Sequence, residues 1–186
     1  MTVKSSVFIA TSLDGYIART DNSLDWLDRA NANVPSGEDC GYGEFIDSVD
    51  VLVMGRNSFE KVLSFGEWPY SKPVVVLSRS DLAIPNSITA DVSRSAESPR
   101  ALVERLGHSG AKHLYIDGGL VIQSFLREGL IDEITITLIP IILGAGKPLF
   151  GPLEKDIELT HIATKTYDFG FVQNKYRVNV PSSVAG

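Results

Sequence analysis

The chain has 186 residues, 44% of them hydrophobic and 22% charged, with a formal net charge of −6. That length fits one domain, or a tight pair of small ones, with enough residues for a substantial core; the acidic balance argues against nucleic-acid or anionic-membrane partners, which need a basic face. The one cysteine, Cys40, excludes an internal disulfide and suits a reducing cytoplasm, no CxxC or His/Cys cluster points to zinc, and no apolar run reaches the ~20 residues of a membrane span.

In chain order, "SVFIATSL" reads as a first strand, strand-sized and too short for the core of a signal peptide. "DGYIA" follows as a loop, and "DNSLDWLDRAN" as a loop or short helix carrying Leu24 and Trp26. "NVPSGEDCGYG" is broken by Pro35, Gly37, Gly41 and Gly43 and should be irregular. "GEFIDSV" gives one or two helical turns before the buried-type strand "DVLVMG". The helix "NSFEKVLSFG" is expected to be capped by Asn57 or Ser58 and stopped by Gly66. "KPVVVLSRS" is a β-branched strand. "SPRALVERLGHSG" is a helix with Ser98 as N-cap, Pro99 in its first turn and Gly107 just past its end. "AKHLYIDGG" is a strand and "LVIQSFLREG" a helix ending at Gly129. From "DEITITLIPIIL" onward the pattern changes. "IELTHIATKTY" and "FGFVQNKYRVNV" follow without a helix between them, as an antiparallel hairpin does. Strand–helix units followed by a hairpin predict one mixed, mostly parallel sheet with helices on its faces. His108, His113 and His161 are scattered and read as structural, and "PSSVAG" from Pro181 reads as a frayed end.

Three apolar strands end in small or polar residues: "VLVMGRNS", "VVVLSRS" and "LYIDGGLV". In an open parallel sheet the carboxyl ends of the strands share one edge, and ligands bind in the crevice there. Gly55, Gly118 and Gly119 would let a ligand approach backbone. The helices that follow would aim free N–H groups at that edge. Arg56 and Arg79 add permanent charge with fork geometry suited to phosphate, and Asn57 and Ser78 add neutral donors. Two separated arginines suit a dinucleotide with an extra ribose phosphate, NADPH rather than NADH. The absence of GxGxxG speaks against the usual dinucleotide fold.

The set "VFIATSLDGYIA", "VLVMGRNSFE", "VVVLSR", "IDGGLVIQSFL" and "EITITLIPIILGAGKPLF" resembles the dihydrofolate reductase-like superfamily. The resemblance is closest to the branch shared with the reductase domain of the bifunctional riboflavin-biosynthesis deaminase-reductase. It implies a three-layer α/β/α fold, a single domain over 1–180 with 181–186 as a tail, and NADPH as hydride donor. By position, it implies that Ala10, Ile17 and Ala18 lie beside the nicotinamide. Gly55, Arg56 and Asn57 would hold phosphate, and Leu77, Ser78 and Arg79 would bracket the adenosine end. Gly118, Gly119, Leu120, Val121 and Ile122 would meet the pyrophosphate and ribose. On the substrate side it implies a catalytic role for Asp39 with support from Thr137, and substrate contacts from Asp14, Trp26 and Glu44. Each has an ordinary alternative. Asp39 could be a helix N-cap, Glu44 a solvated helix face, Thr137 a plain strand residue, Asp14 good turn chemistry, and Trp26 core.

Hydride transfer asks little acid–base machinery of the protein, which sets distance, orientation and exclusion of water. The expected function is an NADPH-dependent reductase of a flat heterocycle, with 5-amino-6-(5-phosphoribosylamino)uracil first and a dihydropterin second. A non-catalytic NADPH-binding module is the rival class. With no deaminase segment attached, the chain reads as a free-standing domain whose substrate can differ from its relatives'. The apolar "EITITLIPIIL" and "FVQNKYRVNV" predict a homodimer through the end of the chain.

Overall fold

A computed structural model describes residues 2–179; the expected tail at 181–186 lies outside them. Along the chain the elements are β1 (Lys4–Ser12), β2 (Tyr16–Ala18), α1 (Asp25–Asn31), α2 (Tyr42–Asp47), β3 (Val51–Gly55), α3 (Arg56–Leu63), β4 (Val74–Leu77) and β5 (Val92–Ser95). Then come α4 (Pro99–His108), β6 (His113–Asp117), α5 (Gly119–Arg127), β7 (Glu133–Ile139), β8 (Lys147–Pro148), β9 (Leu159–Thr166) and β10 (Val172–Val178). The main sheet has eight strands in the order β5-β4-β3-β6-β1-β7-β10-β9. Strands β5 to β7 in that order are parallel, and β10 runs antiparallel to both its neighbours. β2 and β8 form a separate small pair.

The alternation along the buried strands sorts side chains to two faces. Val7, Val53, Val75, Ile116 and Ile134 face one side, where Leu102 of α4 and Ile122 and Phe125 of α5 cover them. Leu52, Met54, Val76 and Tyr115 face the other, under Phe59 of α3 and Tyr42 and Phe45 of α2. Beside them α1 contributes Trp26, packed on Ile139, Tyr167 and Phe171. Each large side chain so buried is worth about 1.5–3 kcal/mol of transfer free energy. The result is the expected α/β/α arrangement with a terminal antiparallel hairpin.

Two local expectations are corrected, and one strand is added. Neither Asn57 nor Ser58 caps α3: the helix starts at Arg56 directly from β3, with Gly55 as cap and no side-chain bond. Ser98 does cap α4, accepting from the Ala101 amide at 3.3 Å, but α4 runs through Gly107 to His108. A Cβ on Gly107 would come within 2.6 Å of Val3, so that glycine serves packing inside the helix. Finally, "VSRS" is a strand. β5 sits at the sheet edge with one neighbour, where a short polar strand is tolerated and carries no apolar signal. His113 is structural, bridging Ser6 Oγ at 2.8 Å and the Ser48 carbonyl at 3.0 Å.

Candidate active site

β4, β3 and β6 are adjacent and parallel, so the turns after them share one edge. β6 fills the gap left where the chain crosses from β1 to β3, and the order reverses there. Such switch points form crevices at the carboxyl ends of strands. The turns are pressed together. A Cβ on Gly118 would strike the Ser58 hydroxyl, and one on Gly55 would lie 3.1 Å from Val121 Cγ2. Gly118 also has φ +87°, which a side chain rarely adopts. Gly119 is covered by Ile17 Cδ1 at 3.0 Å and the Pro148 carbonyl at 3.1 Å. The glycines were expected to bare the backbone to a ligand. They also let two turns and the β2–β8 pair close on one another, and this sets the starts of α3 and α5 side by side, with their N–H groups at one edge.

Cations surround the segment that leaves β4. Arg56 Nε donates to Glu60 at 2.8 Å, and its Nη1 donates to Ser80 Oγ and, at 3.2 Å, to the Asp81 carbonyl. Arg94 on β5 donates to the Ser78 carbonyl at 3.1 Å and stands 3.6 Å from the Asp81 carboxylate. Ser78 Oγ donates to the Ser80 carbonyl at 2.8 Å. Arg79 is exposed and has no ion-pair partner among the described residues. Three guanidinium groups thus gather around residues 78–81. Arg94 is the one that strand patterning missed, because the short polar β5 carries no apolar alternation.

On the other side of β1 lies a cavity of about 420 Å³. Ala10 and Thr137, paired by register on β1 and β7, line it together with Phe8, Leu27, Glu38 and Asp39. Thr137 is 6% exposed. Its Oγ1 accepts at 3.0 Å from Gln173 Nε2, which also donates to the Cys40 carbonyl at 2.9 Å. Gln173 therefore ties β7 to the irregular segment before α2, and sequence patterning gave no hint of it beyond a polar strand position. Asp39 accepts from the amides of Gly43 at 2.9 Å and Gly41 at 2.8 Å. These bonds hold its carboxyl below the usual range. It is a charged wall and an acceptor, and it has no proton to give near neutrality.

Asp117 is different. It ends β6 opposite Met54. On its other side β6 pairs with β1 as far as Ser6 and Tyr115, so Asp117 lies two residues beyond the last paired position. Burial pushes its carboxyl up to about 6, opposed by the Gly118 amide. Its field, added to burial, pushes the Tyr42 phenol up to about 12. Of the carboxyls described here it is the one that retains a proton close to neutral pH. The signal was present as an acid closing an apolar strand in "LYIDGG", overshadowed by the glycines.

Other expected residues fall elsewhere. Trp26 is 1% exposed, sealed behind the cavity in the α1 core with its indole N–H unpartnered, so its place is that of support for the wall. Glu44 is on the exposed side of α2 and does not line the cavity. Asp14 binds Ser12 Oγ at 2.6 Å and the amides of Leu143 and Gly144 at 3.1 and 2.8 Å; it staples two loops. The Ile122 side chain is 0% exposed in the core, and that of Val121 is buried behind Gly55, so at these two positions the backbone is what faces the edge. Leu120, by contrast, is 71% exposed at the start of α5. Leu77 ends β4 and Asn57 is exposed on the first turn of α3, both at the same rim. Ile17 and Ala18 lie on β2 over that rim. Among the described residues no cluster of His, Cys, Asp or Glu could hold a metal ion, and no helix is long and apolar enough to cross a membrane.

A doubly faced, mostly parallel sheet with a cation-lined turn edge beside a bounded cavity defines the dihydrofolate reductase-like class. Dihydrofolate reductase from Enterococcus faecalis, in complex with NADP(H), superposes with a TM-score of 0.62 at 15% identity, over 95% of this chain and 97% of that one. The chain belongs to the RibD C-terminal domain family, which matches residues 4–172. A Shewanella sp. PV-4 protein named for riboflavin biosynthesis is 42% identical, with a TM-score of 0.89 over 96% of this chain and 100% of that one. The Thermotoga maritima diaminohydroxyphosphoribosylaminopyrimidine deaminase/5-amino-6-(5-phosphoribosylamino)uracil reductase shares the fold at 14% identity and a TM-score of 0.69, with 96% of this chain covering 57% of that one.

Proposed function

We propose that this chain is a RibD-type reductase that binds NADPH along the β4-β3-β6 edge and delivers hydride to a heterocycle held in the cavity beside β1. The observation that carries this is the gathering of Arg56, Arg79 and Arg94 around residues 78–81, at the same edge as the starts of α3 and α5. These groups fit a coenzyme with several phosphates, and forked guanidinium groups suit an extra ribose phosphate. When bound, NADPH supplies the hydride. The protein's own residues orient the reactants and exclude water: Ala10 and Ile17 bound the space between edge and cavity, and Thr137 and Asp39 position the heterocycle. Asp117 holds the proton that completes the reduction. A second copy pairing along β9, an edge strand exposed along its whole length, is the proposed assembly, which light scattering tests.

Titration calorimetry with NADPH and NADH tests the coenzyme assignment. NADPH should bind more tightly, and Arg56→Ala should weaken NADPH by about 10- to 100-fold, the worth of a charge-assisted contact, while leaving NADH little changed. Equal loss for both coenzymes would remove Arg56 from the ribose phosphate.

A further inference from the structure

We infer that the cavity selects a substrate without phosphate, a planar nitrogen-rich ring that is neutral or cationic, and that it turns phosphate esters away. This rests on the reductase function proposed above and narrows its substrate. The cavity wall contains two carboxylates, Glu38 and Asp39, and no lysine, arginine or histidine. Glu38 accepts from the Cys40 amide at 2.7 Å through one oxygen, which leaves its other oxygen for a ligand. Asp39 keeps a further lone pair on each oxygen beyond the two amides it accepts.

The cations nearby lie outside the wall. Arg19 and Arg29 both bind Asp25. Lys165 lies over the Tyr167 ring at 4.4 Å and is not part of the wall, and its charge is already shared between Glu38 and Asp39. The three guanidinium groups suited to phosphate stand around residues 78–81, and in the sheet β6 and β1 separate β3 and β4 from β7. A phosphate dianion in the cavity would therefore meet two like charges, with Lys165 outside the wall as the one cation whose field reaches them, an arrangement that discriminates by repulsion.

The rest of the wall says what is accepted. Phe8, Leu27, Val34, Ile139 and Phe171 give it apolar sides, and about 420 Å³ suits a one- or two-ring ligand with a short substituent. Thr137 is more than nine-tenths buried and lines the cavity, and its hydroxyl oxygen is already used as acceptor for Gln173. Its own hydrogen is left to donate to the ligand. The complementary ligand offers N–H donors to Glu38 and Asp39 and one acceptor to Thr137. The phosphoribosyl form expected from the family resemblance does not match this wall.

The test is calorimetric titration with a ribosylaminouracil and its 5′-phosphate ester, with and without saturating NADP⁺. The unphosphorylated probe should bind at least about tenfold more tightly, the order expected from two like charges in a partly desolvated site. Glu38→Lys should invert that preference, and Glu38→Gln should reduce it while leaving the melting temperature unchanged. Equal or tighter binding of the ester to the native protein overturns the inference. So does a preference that neither variant moves, or NADP⁺ binding with neither probe bound. Selection between the probes without any binding of NADP⁺ upholds the inference and overturns the reductase function alone.

Discussion

The two halves of the candidate site are built in opposite ways. The proposed coenzyme edge is basic and made of short local segments: Gly55 and Arg56 where β3 meets α3, Arg79 after β4, and Gly118 and Gly119 after β6. The cavity is acidic and assembled from residues far apart in the chain: Phe8 and Ala10 on β1, Glu38 and Asp39 before α2, Thr137 on β7, with Gln173 of β10 holding them together. Opposite charge on the two sides of β6 and β1 gives each ligand one place to go. Local construction fixes the first half through turn geometry, and the second depends on a few long-range bonds.

The largest expected effect tests the turn geometry. Gly118→Ala forces a side chain into a backbone conformation it avoids and into Ser58. Strain and overpacking together should cost about 4 kcal/mol, seen as a fall in the denaturant midpoint with loss of NADPH binding. Unchanged stability would mean that the two turns separate without penalty.

Asp117→Asn comes next. The native carboxyl titrates at about 6 rather than 3.8, so the folded state binds the proton more tightly than the unfolded state. Native stability is therefore lost as pH rises from about 4 through about 6, and nothing more is lost above that. A shift of that size amounts to about 3 kcal/mol. The asparagine variant should match the native protein at pH 4 and below and exceed it by up to that amount at pH 8, in urea melts. No gain at pH 8 would place the carboxyl in water.

The smallest effect belongs to the cavity. Gln173→Ala removes the donor shared by Thr137 and Cys40 and should cost about 1–2 kcal/mol. It should raise KM for the heterocycle while leaving the affinity for NADPH alone. A parallel loss of NADPH would show that the halves are not separable.

The same contrast governs how much of the site was legible in the sequence. "VLVMGRNS" and "LYIDGGLV" each carry strand, turn and helix within a few residues, "VVVLSRS" carries strand and turn, and the parallel-sheet rule alone sets their ends on one edge. What escaped was the use of the glycines, because a bare peptide serves a neighbouring turn as well as a ligand. Arg94 escaped because an edge strand such as β5 has no buried face to announce it. In the cavity, spacing and resemblance reached Asp39 and Thr137, while Glu38 and Gln173 carry no local pattern and are identified by packing. Trp26 shows the limit from the other side. A lone aromatic in a short helix looks the same from sequence whether it covers a ligand or fills a core, and only its enclosure by Ile139, Tyr167 and Phe171 decides.

Gln123 on α5 donates to the carbonyls of Pro148 and Leu149 at 3.1 and 3.3 Å, while Asp14 grips the amides of Leu143 and Gly144. The stretch between β7 and β9 is thereby clamped at two points, once to a helix of the basic edge and once to the turn after β1. It acts as a tie between α5 and the end of β1, with Leu149 sunk in the hydrophobic interior between the two clamps.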